Sequence, residues 1–229
     1  MLKTSYPLMI NHLLATVFFR IDMLLLKPMK GDSVAGYYSA AYKYIDGLNI
    51  IPAYFTLAIF PMMSRFAQSA RDSLMKAYVL SLRLLLMISL PIAFGTPFIA
   101  HELILILGGS KFLIHSTRAL QLLIWFLPFS YVNSVTQYVL IAIDQQRFLT
   151  RAFLIGVTFN LVANLIFIPQ YGYQAAAVIT VLSEIALWIP FYHCVRKNLG
   201  PIPWARIAWK PAAAAGLMAG ALWETRAGS

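Results

Sequence analysis

Six long apolar stretches make up most of the chain between residues 6 and 195. They cover residues 7–26, 34–60, 77–99, 120–143, 148–168 and 173–195. About 20 apolar residues in a helix cross the roughly 30 Å hydrocarbon core of a bilayer, so each stretch is long enough to span a membrane. The stretches are apolar nearly all round, which is typical of spans in lipid and not of helices on a soluble core. The pattern therefore predicts an all-α integral membrane protein.

A seventh apolar stretch, residues 209–223, is too short to cross a bilayer. We expect residues 1–199 to form one lobe of six transmembrane helices. Residues 200–229 are expected to hold a linker and the start of a further span that is cut off. The fold class is therefore a six-helix lobe with a truncated seventh span, as in half of a two-lobed transporter.

The start of the chain has the outline of a signal peptide, with a lysine before an apolar run. However, Arg20 and Asp22 interrupt the run, and no small-residue cleavage site follows. Residues 7–26 are therefore predicted to be a retained span. Met1 is expected to be an internal methionine of a longer gene product.

The composition agrees with a membrane protein, because 60% of the residues are hydrophobic and only 11% are charged. A net charge of +10 would suit a nucleic-acid partner if it were concentrated on one face. The basic residues lie instead in the short connections, so membrane orientation explains them and no nucleic-acid partner is predicted. Cys194 is the only cysteine, so the chain has no intrachain disulfide and no cysteine-based metal site.

The distribution of lysine and arginine predicts the orientation. With a cytoplasmic N-terminus, ten of them lie inside: Lys3, Arg65, Arg71, Lys76, Arg147, Arg151, Arg196, Lys197, Arg206 and Lys210. Four lie outside: Lys27, Lys30, Lys111 and Arg118. Cytoplasmic connections of membrane proteins carry an excess of basic residues, so a cytoplasmic N-terminus is favoured.

Prolines and glycines mark irregular positions. Pro52, Pro91, Pro128 and Pro190 fall inside predicted spans, where each removes a backbone hydrogen bond and kinks the helix. Such kinks suit a protein that bends or encloses a wet cavity, but proline is also commoner in membrane helices generally. In the connection 101–118, the short apolar run before Gly108 and Gly109 predicts an interfacial or re-entrant helix.

No enzyme motif is present. His101-Glu102 is not followed by a histidine at the zinc-protease spacing, and the four histidines share no ligand spacing. The chain also has no glycine-rich phosphate loop, no nucleophile elbow and no acidic cluster suited to magnesium. We therefore predict no catalytic residue, no metal and no cofactor, and a protein that is not an enzyme.

Ionisable residues inside the spans are the main candidates for function. Arg20 and Asp22 lie in the outer half of the first span. At 1.5 Å per residue, Lys43 and Asp46 lie about 13–18 Å into the second span, and Glu184 lies at a similar depth in the sixth. One such charge in hydrocarbon costs about 2.5–3.5 kcal/mol, so these groups should face a cavity or each other.

Other polar residues share helical faces with these charges. The faces consist of Ser39, Lys43, Asp46, Gly47, Ile50 and Tyr54; Ser130, Asn133 and Gln137; Asn160 and Asn164; and Ala177, Thr180, Glu184 and Trp188. The predicted substrate cavity contains Arg20, Lys43, Asp46, Glu184, Asn133 and Gln137, and the candidates for cation coupling are Asp22, Asp46 and Glu184. Arg20 and Asp22 point about 200° apart, so at most one is expected to line the cavity.

A static alternative is open for these polar groups. Lys43 and Asp46 stand at i, i+3 and would neutralise each other, and the asparagines would hydrogen-bond between helices. For Asn160 and Asn164 we favour that structural role. For the midplane charges we favour a polar translocation path, because three such charges are costly as structural contacts alone.

Four segments occur in a recognisable order. They are Arg20-Ile-Asp22-Met-Leu-Leu-Leu26; Gly36-Tyr-Tyr-Ser-Ala-Ala-Tyr-Lys43; Ile59-Phe-Pro-Met-Met-Ser-Arg65; and Asn160 with Asn164-Leu-Ile-Phe-Ile-Pro-Gln-Tyr-Gly172-Tyr-Gln-Ala-Ala-Ala-Val, followed by Ser183-Glu184. Together they resemble the polysaccharide-biosynthesis flippases of the multidrug/oligosaccharidyl-lipid/polysaccharide (MOP) exporter superfamily. The resemblance covers residues 1 to about 223, with the four segments in the same order as in the family.

The resemblance implies half of a transporter. Family members have 12 to 14 spans in two six-helix lobes around a cavity that opens alternately to each side. This chain resembles the second lobe, so its implied partner is the missing N-terminal lobe or a second half-transporter. Alone, it is expected to be poorly stable or to oligomerise, because its polar faces would be left in lipid.

The implied function is a flippase for an undecaprenyl-pyrophosphate-linked oligosaccharide in the bacterial inner membrane. The implied partners are that substrate, membrane lipids and the polysaccharide polymerase machinery. Arg20 and Lys43 would suit the pyrophosphate. The alternatives are a multidrug cation antiporter of the same superfamily, a membrane-embedded glycosyltransferase and a non-transporting scaffold. The connections 64–76 and 100–119 lack the acidic or histidine cluster that a glycosyltransferase would need.

Overall fold

The computed structural model describes residues 2–109 and 113–227, so Met1, residues 110–112, which include Lys111, and residues 228–229 lie outside the described residues. The described residues form eight helices and no strand. These are α1 (Leu2–Lys30), α2 (Asp32–Ser69), α3 (Arg71–Gly108), α4 (Leu113–Leu123), α5 (Phe126–Ala142), α6 (Gln146–Tyr171), α7 (Tyr173–Leu199) and α8 (Trp204–Ala227). The predicted all-α fold is confirmed.

Five of these helices are long and apolar enough to cross a membrane on their own: α1, α2, α3, α6 and α7. Helices α4 and α5 meet the same test together as one span that is bent by 46°. The outer surface of the bundle is apolar as well, and on α6 it exposes Leu154, Ile155, Phe159 and Ile166. Lipid accepts such a surface without penalty, and the chain is a multi-pass membrane protein.

The fourth span, predicted over residues 120–143 with a kink at Pro128, is bent between two helices, α4 and α5. The cause of the bend is Pro128, which has no N–H to donate to the carbonyl of Ile124. The N–H of Leu127 donates to that carbonyl instead, at 3.0 Å. Pro128 therefore lies in the first turn of α5 and not in a helix interior, whereas the other three predicted interior prolines do lie inside helices.

Helix α3 also differs from the prediction, because it continues to Gly108. The separate interfacial or re-entrant helix predicted before Gly108 is wrong. No glycine or proline lies between Pro97 and Gly108, so nothing interrupts the helix over this range. It ends where Gly109 adopts a φ of 70°, a conformation that glycine accepts without strain.

Helices α2 and α3 are much longer than a bilayer requires. Each has 38 residues, which is about 57 Å at 1.5 Å per residue, against a hydrocarbon core of roughly 30 Å. Only Ala70 separates them. The two helices therefore form an antiparallel hairpin whose tip, residues 61–76, lies beyond the predicted spans.

Contacts between the helix termini define the two ends of the bundle. Asn11 Nδ2 near the start of α1 donates to the carbonyl of Gln146 at the start of α6, at 3.3 Å. At the opposite end, Lys30 Nζ donates to the carbonyl of Pro169 at 2.7 Å. The connections between helices therefore alternate between the ends, as in an up-and-down bundle.

The first of these ends gathers three connections around a polar cavity. Arg71, Asp144 and Asn198 line this cavity, and each lies in or next to a different connection between helices. We call this end, with residues 64–76, 144–151 and 196–210, the basic end, because it carries most of the lysine and arginine outside the spans.

Candidate functional site

A cavity of about 370 Å³ lies between α1, α2, α5, α6 and α7, and it is partly open to the surface. Five of the six residues predicted for a substrate cavity line it: Arg20, Asp46, Asn133, Gln137 and Glu184. These residues come from four helices, so the fold brings together side chains that are up to 164 positions apart in sequence. Lys43 is exposed on α2 and is not among the lining residues.

Arg20 and Asp46 form an ion pair on the cavity wall. Arg20 Nη2 lies 3.2 Å from Asp46 Oδ2, and the two side chains are 47% and 43% exposed. The guanidinium carbon also lies 5.6 Å from the centre of the Tyr42 ring, whose hydroxyl donates to the carbonyl of Phe19 at 2.9 Å. The carboxylate of Asp46 is therefore paired with an arginine on the neighbouring helix and not with Lys43 on its own helix.

The exposure of this pair decides how it can act. Exposed ion pairs contribute only about 0–1 kcal/mol to stability, because water screens them. An arginine carries five N–H donors in a planar fork, so one contact with Asp46 leaves most of them available. Arg20 can therefore bind an anion in the cavity with little loss of protein stability.

Glu184 forms the buried part of the cavity and is fully buried. Asn133 Nδ2 on α5 donates to Glu184 Oε2 at 2.5 Å and to the backbone carbonyl of Glu184 at 2.9 Å. Glu184 Oε1 and Asn133 Oδ1 have no hydrogen-bond partner among the described residues. Buried polar atoms nearly always have partners, so these two oxygens mark a place where a water molecule or a hydroxyl group would bind.

A proline in α2 shapes another part of the cavity wall. Pro52 in α2 lines the cavity and has no N–H, so it leaves the carbonyl of Leu48 without its helical donor. The hydroxyl of Tyr131 on α5 donates to that carbonyl at 2.7 Å. This part of α2 is thereby hydrogen-bonded to α5, as expected for a freed carbonyl at membrane depth.

Asn49 is a lining residue that the sequence analysis missed. Its Oδ1 lies 3.3 Å from Ser130 Oγ, which donates to it. The predicted face of α2 passed through Asp46 and Ile50 and so left Asn49 aside. Its i, i+3 spacing from Asp46 is the signal that would have found it.

Asp22 lies on the other side of α1 from the cavity, as the 200° separation from Arg20 predicts. Its side chain is 1% exposed. The hydroxyl of Tyr38 donates to Asp22 Oδ2, and Thr180 Oγ1 donates to the same oxygen at 3.0 Å. Helices α1, α2 and α7 therefore meet at a buried carboxylate that is separate from the cavity.

Asn160 and Asn164 are both buried in α6. Asn164 Nδ2 donates to Asn160 Oδ1 at 2.6 Å and to the Asn160 carbonyl at 2.9 Å. The described hydrogen bonds of this pair thus run along one helix and not between helices, contrary to the expected interhelical bonds. Among the described residues, no three His, Cys, Asp or Glu side chains come together as a metal site would need.

Comparison with known protein families assigns the chain. A family model described as a polysaccharide biosynthesis protein matches residues 1–117, just over half of the 229 residues. The chain belongs to this family. A curated relative, the uncharacterized membrane protein MJ1068 of Methanocaldococcus jannaschii, is 27% identical over 187 residues. That match covers 79% of this chain and 36% of the relative.

Solved structures share the fold. The lipid II flippase MurJ in an inward closed conformation superposes with a TM-score of 0.80 at 17% identity, over 98% of this chain and 48% of that chain. A MOP superfamily transporter from Pyrococcus furiosus superposes with a TM-score of 0.70 at 18% identity, over 96% of this chain and 53% of that chain. This member of the polysaccharide biosynthesis protein family therefore has the MurJ-like fold and spans about half the length of these structures.

Proposed function

We propose that the chain is one lobe of a two-lobed flippase that moves an undecaprenyl-pyrophosphate-linked oligosaccharide across the membrane by alternating access. Family membership and the MurJ-like fold over half of a transporter's length support this proposal. The observation that carries it is the cavity in which one arginine stands beside several neutral polar groups and one buried carboxyl. A lipid-linked oligosaccharide needs a cation for its pyrophosphate and uncharged polar groups for its sugars.

The chemistry of the cavity fits the two polar parts of such a substrate. Arginine matches the geometry of phosphate oxygens through paired N–H donors, so Arg20 would bind the pyrophosphate. The amides of Asn133 and Gln137 and the unpartnered oxygen of Glu184 would bind sugar hydroxyls. The apolar lipid tail would stay in the bilayer.

Lys43 has a different position in this proposal. It lies on an exposed face of α2 with Gly47, Ile50 and Tyr54. An exposed cation at membrane depth is costly in lipid, so we infer that this face lines the central passage opposite the second lobe. Lys43 would then be a second contact for the pyrophosphate, outside the cavity that Arg20 lines.

The orientation in the membrane belongs to the same proposal. The basic end carries the connections richest in lysine and arginine, and we infer that it faces the cytoplasm of the bacterial inner membrane. The N-terminus of α1 lies at that end through the contact of Asn11 with Gln146. Partners would be the missing lobe, or a second half-transporter, and the polysaccharide polymerase machinery.

Cation coupling is a further part of the proposal. Asp22 accepts two buried hydrogen bonds at the meeting point of three helices, so binding of a cation there would change how these helices pack. Asp46 and Glu184 are the other two candidates, and both lie on the cavity. Asp46 is paired with Arg20, which leaves Asp22 and Glu184 as the stronger candidates.

A multidrug cation antiporter of the same superfamily is the second candidate function. It is favoured by the two carboxyl groups on the cavity, Asp46 and Glu184, against the single cation Arg20. The P. furiosus transporter of similar fold is described as having a binding pocket of reverse polarity that suggests a different function. The two candidate functions therefore differ in the cavity charge on which transport depends. A flippase for an anionic lipid would depend on Arg20, and a cation antiporter would depend on Asp46 and Glu184. We favour transport over an enzyme or a scaffold, because the cavity lies within the membrane-spanning lobe.

The test uses the two-lobed protein in vesicles that contain a fluorescent lipid-linked oligosaccharide. Translocation is measured as the fraction of fluorophore that an impermeant reductant reaches with time. Arg20→Gln should lower the rate about 10-fold to 100-fold, because a charged hydrogen bond is worth about 1.5–3 kcal/mol. Arg65→Gln removes an exposed cation at the basic end and is the matched control.

The double variant Arg20→Gln with Asp46→Asn tests whether Arg20 binds the pyrophosphate or only neutralises the charge of Asp46. If Arg20 binds the pyrophosphate, the double variant stays as slow as the single one. Recovery of the rate in the double variant would show that Arg20 only compensates Asp46. Export of organic cations by the intact protein, lost with Glu184→Gln and unaffected by Arg20→Gln, would favour the antiporter.

A further inference from the structure

A second cavity, of about 530 Å³, lies between α3 and α8. It shares no lining residue with the cavity around Arg20 and Glu184. Both helices begin at the basic end and run in the same direction, because each follows a connection at that end. Farther along, a Cβ atom on Gly95 of α3 would lie 3.2 Å from Met218 Cε of α8, so the helices stay in contact beyond the cavity.

The two walls of this cavity repeat one order of side chains. On α3 the lining residues are Arg83, Met87 and Pro91, and on α8 they include Arg206, Lys210 and Ala214. Both sets stand at i, i+4 and i+8, so each set lies on a single helical face. Both faces carry cations nearer the basic end and apolar groups deeper in the bundle.

The distances along the helices match a phospholipid. Arg83 and Pro91 are eight residues apart, which is about 12 Å along the axis. One polar headgroup layer of a bilayer is about 5–8 Å thick, so the cavity is long enough to reach from the headgroups to the acyl chains. Trp209 also lines the cavity and is 58% exposed, as is usual for tryptophan at the membrane interface.

The cations of this cavity have no counter-ion within the described part of the chain. The described residues form two ion pairs, Arg20 with Asp46 and Lys27 with Asp32. Neither pair includes Arg83, Arg206 or Lys210, so these three cations are not paired with a carboxylate. Lys210 Nζ lies 5.7 Å from the centre of the Trp209 ring. Three cations on one cavity repel each other, and a bound anion would relieve that repulsion.

We propose that this cavity binds an anionic glycerophospholipid, with the phosphate at Arg83, Arg206 and Lys210 and the start of an acyl chain against Met87 and Ala214. Basic pockets between membrane helices bind anionic headgroups in this way. The apolar inner wall favours a membrane lipid over a free phosphate ion. The lipid joins α8 to the lobe, and the proposal does not depend on which substrate the protein transports.

The test measures retained lipid. The protein is purified from micelles that contain equal amounts of phosphatidylcholine and phosphatidylglycerol, and bound lipids are counted by native mass spectrometry. Each cation near an anionic headgroup is worth about fivefold in binding, so the triple variant Arg83→Gln, Arg206→Gln and Lys210→Gln should weaken phosphatidylglycerol retention about a hundredfold. The control is the triple variant Arg147→Gln, Arg151→Gln and Arg196→Gln, which removes the same charge from exposed positions elsewhere at the basic end.

Equal retention by wild type and the cavity variant, or equal loss in both triple variants, would overturn the proposal. A second variant keeps every charge and also covers the case in which the triple variant fails to fold. Ala214→Trp fills the apolar wall and should lower phosphatidylglycerol retention at least tenfold. Unchanged retention in Ala214→Trp would mean that the cavity holds a phosphate group without an acyl chain, and the lipid assignment would be wrong.

Discussion

Gly156 marks a close approach between α6 and its neighbours, and it offers a sharp test of the packing. A Cβ atom at this position would lie 3.0 Å from Phe18 Cε2 of α1 and 3.7 Å from Leu187 Cδ1 of α7. The Phe18 ring is only 3% exposed and makes edge contacts with Phe19 and Phe153, at centroid distances of 5.4 and 6.3 Å. Because the ring is held on both sides, it has little room to move away from an added methyl group.

The expected magnitude follows from two opposing effects. Replacing a helical glycine by alanine favours the helix by about 1 kcal/mol, while overpacking a tight core costs about 1–3 kcal/mol. Gly156→Ala should therefore lower the free energy of unfolding by about 1 kcal/mol, and Gly156→Leu by more than about 3 kcal/mol. Gly47 has no atom within 4 Å of its Cβ position, so Gly47→Ala should be neutral or stabilising. Gly95→Ala meets only the flexible end of Met218 and should be nearly neutral.

The assay is unfolding of the purified protein in dodecyl maltoside by increasing amounts of sodium dodecyl sulfate, followed by tryptophan fluorescence. The order of stability should be Gly47→Ala, then Gly95→Ala, then Gly156→Ala, then Gly156→Leu. If Gly156→Ala were as stable as Gly47→Ala, the Phe18 ring would be free to adjust. The reasoning from close approach would then be refuted.

Three further predictions concern hydrogen bonds and topology. Tyr38→Phe should destabilise the protein by about 1.5–3 kcal/mol, because the Tyr38 hydroxyl donates to a buried carboxylate. Tyr78→Phe should cost only about 1 kcal/mol, because the Tyr78 hydroxyl bonds a neutral hydroxyl. Equal losses of stability in the same assay would contradict this. Asn133→Leu should lower stability by about 1–3 kcal/mol, because it leaves Glu184 without its hydrogen-bond donor. Adding Glu184→Leu should recover part of that loss. A double variant less stable than Asn133→Leu would contradict the stabilising role of this hydrogen bond. A single cysteine at Arg147, in a cysteine-free background, should resist impermeant thiol reagents in intact cells, and rapid labelling would reverse the proposed orientation.

The spans were predictable because lipid imposes one rule on every residue that crosses it. A segment in hydrocarbon must satisfy its own backbone hydrogen bonds and carry apolar side chains, so length and hydropathy are sufficient to find it. The ends of the helices follow local rules that are harder to apply. Pro128 could have ended a helix or kinked it, and the outcome depended on Leu127 bonding the carbonyl of Ile124.

Most of the residues predicted for the cavity do line it, but Lys43 does not, Asn49 was missed, and the pairings were not predictable. Burial cost alone indicated that Arg20, Asp46 and Glu184 would not face lipid. That Asp46 would pair with Arg20 and not with Lys43 depends on the register between α1 and α2, which no single-helix pattern contains. The cavity between α3 and α8 required two helices about a hundred residues apart in sequence to lie side by side. Such a juxtaposition follows from the fold and not from local sequence.

The length of the α2–α3 hairpin would amplify any change in the direction of α2 at Pro52. Pro52 lies on the cavity wall, and the helix continues from it to Ser69, about 25 Å away. A change of about 20° in the kink at Pro52 would carry the hairpin tip through about 9 Å. A small movement of the cavity wall would thus become a larger movement at the far end of the same helix. A spectroscopic probe on the hairpin tip would therefore report a change in the cavity wall, and no label would be needed in the cavity itself.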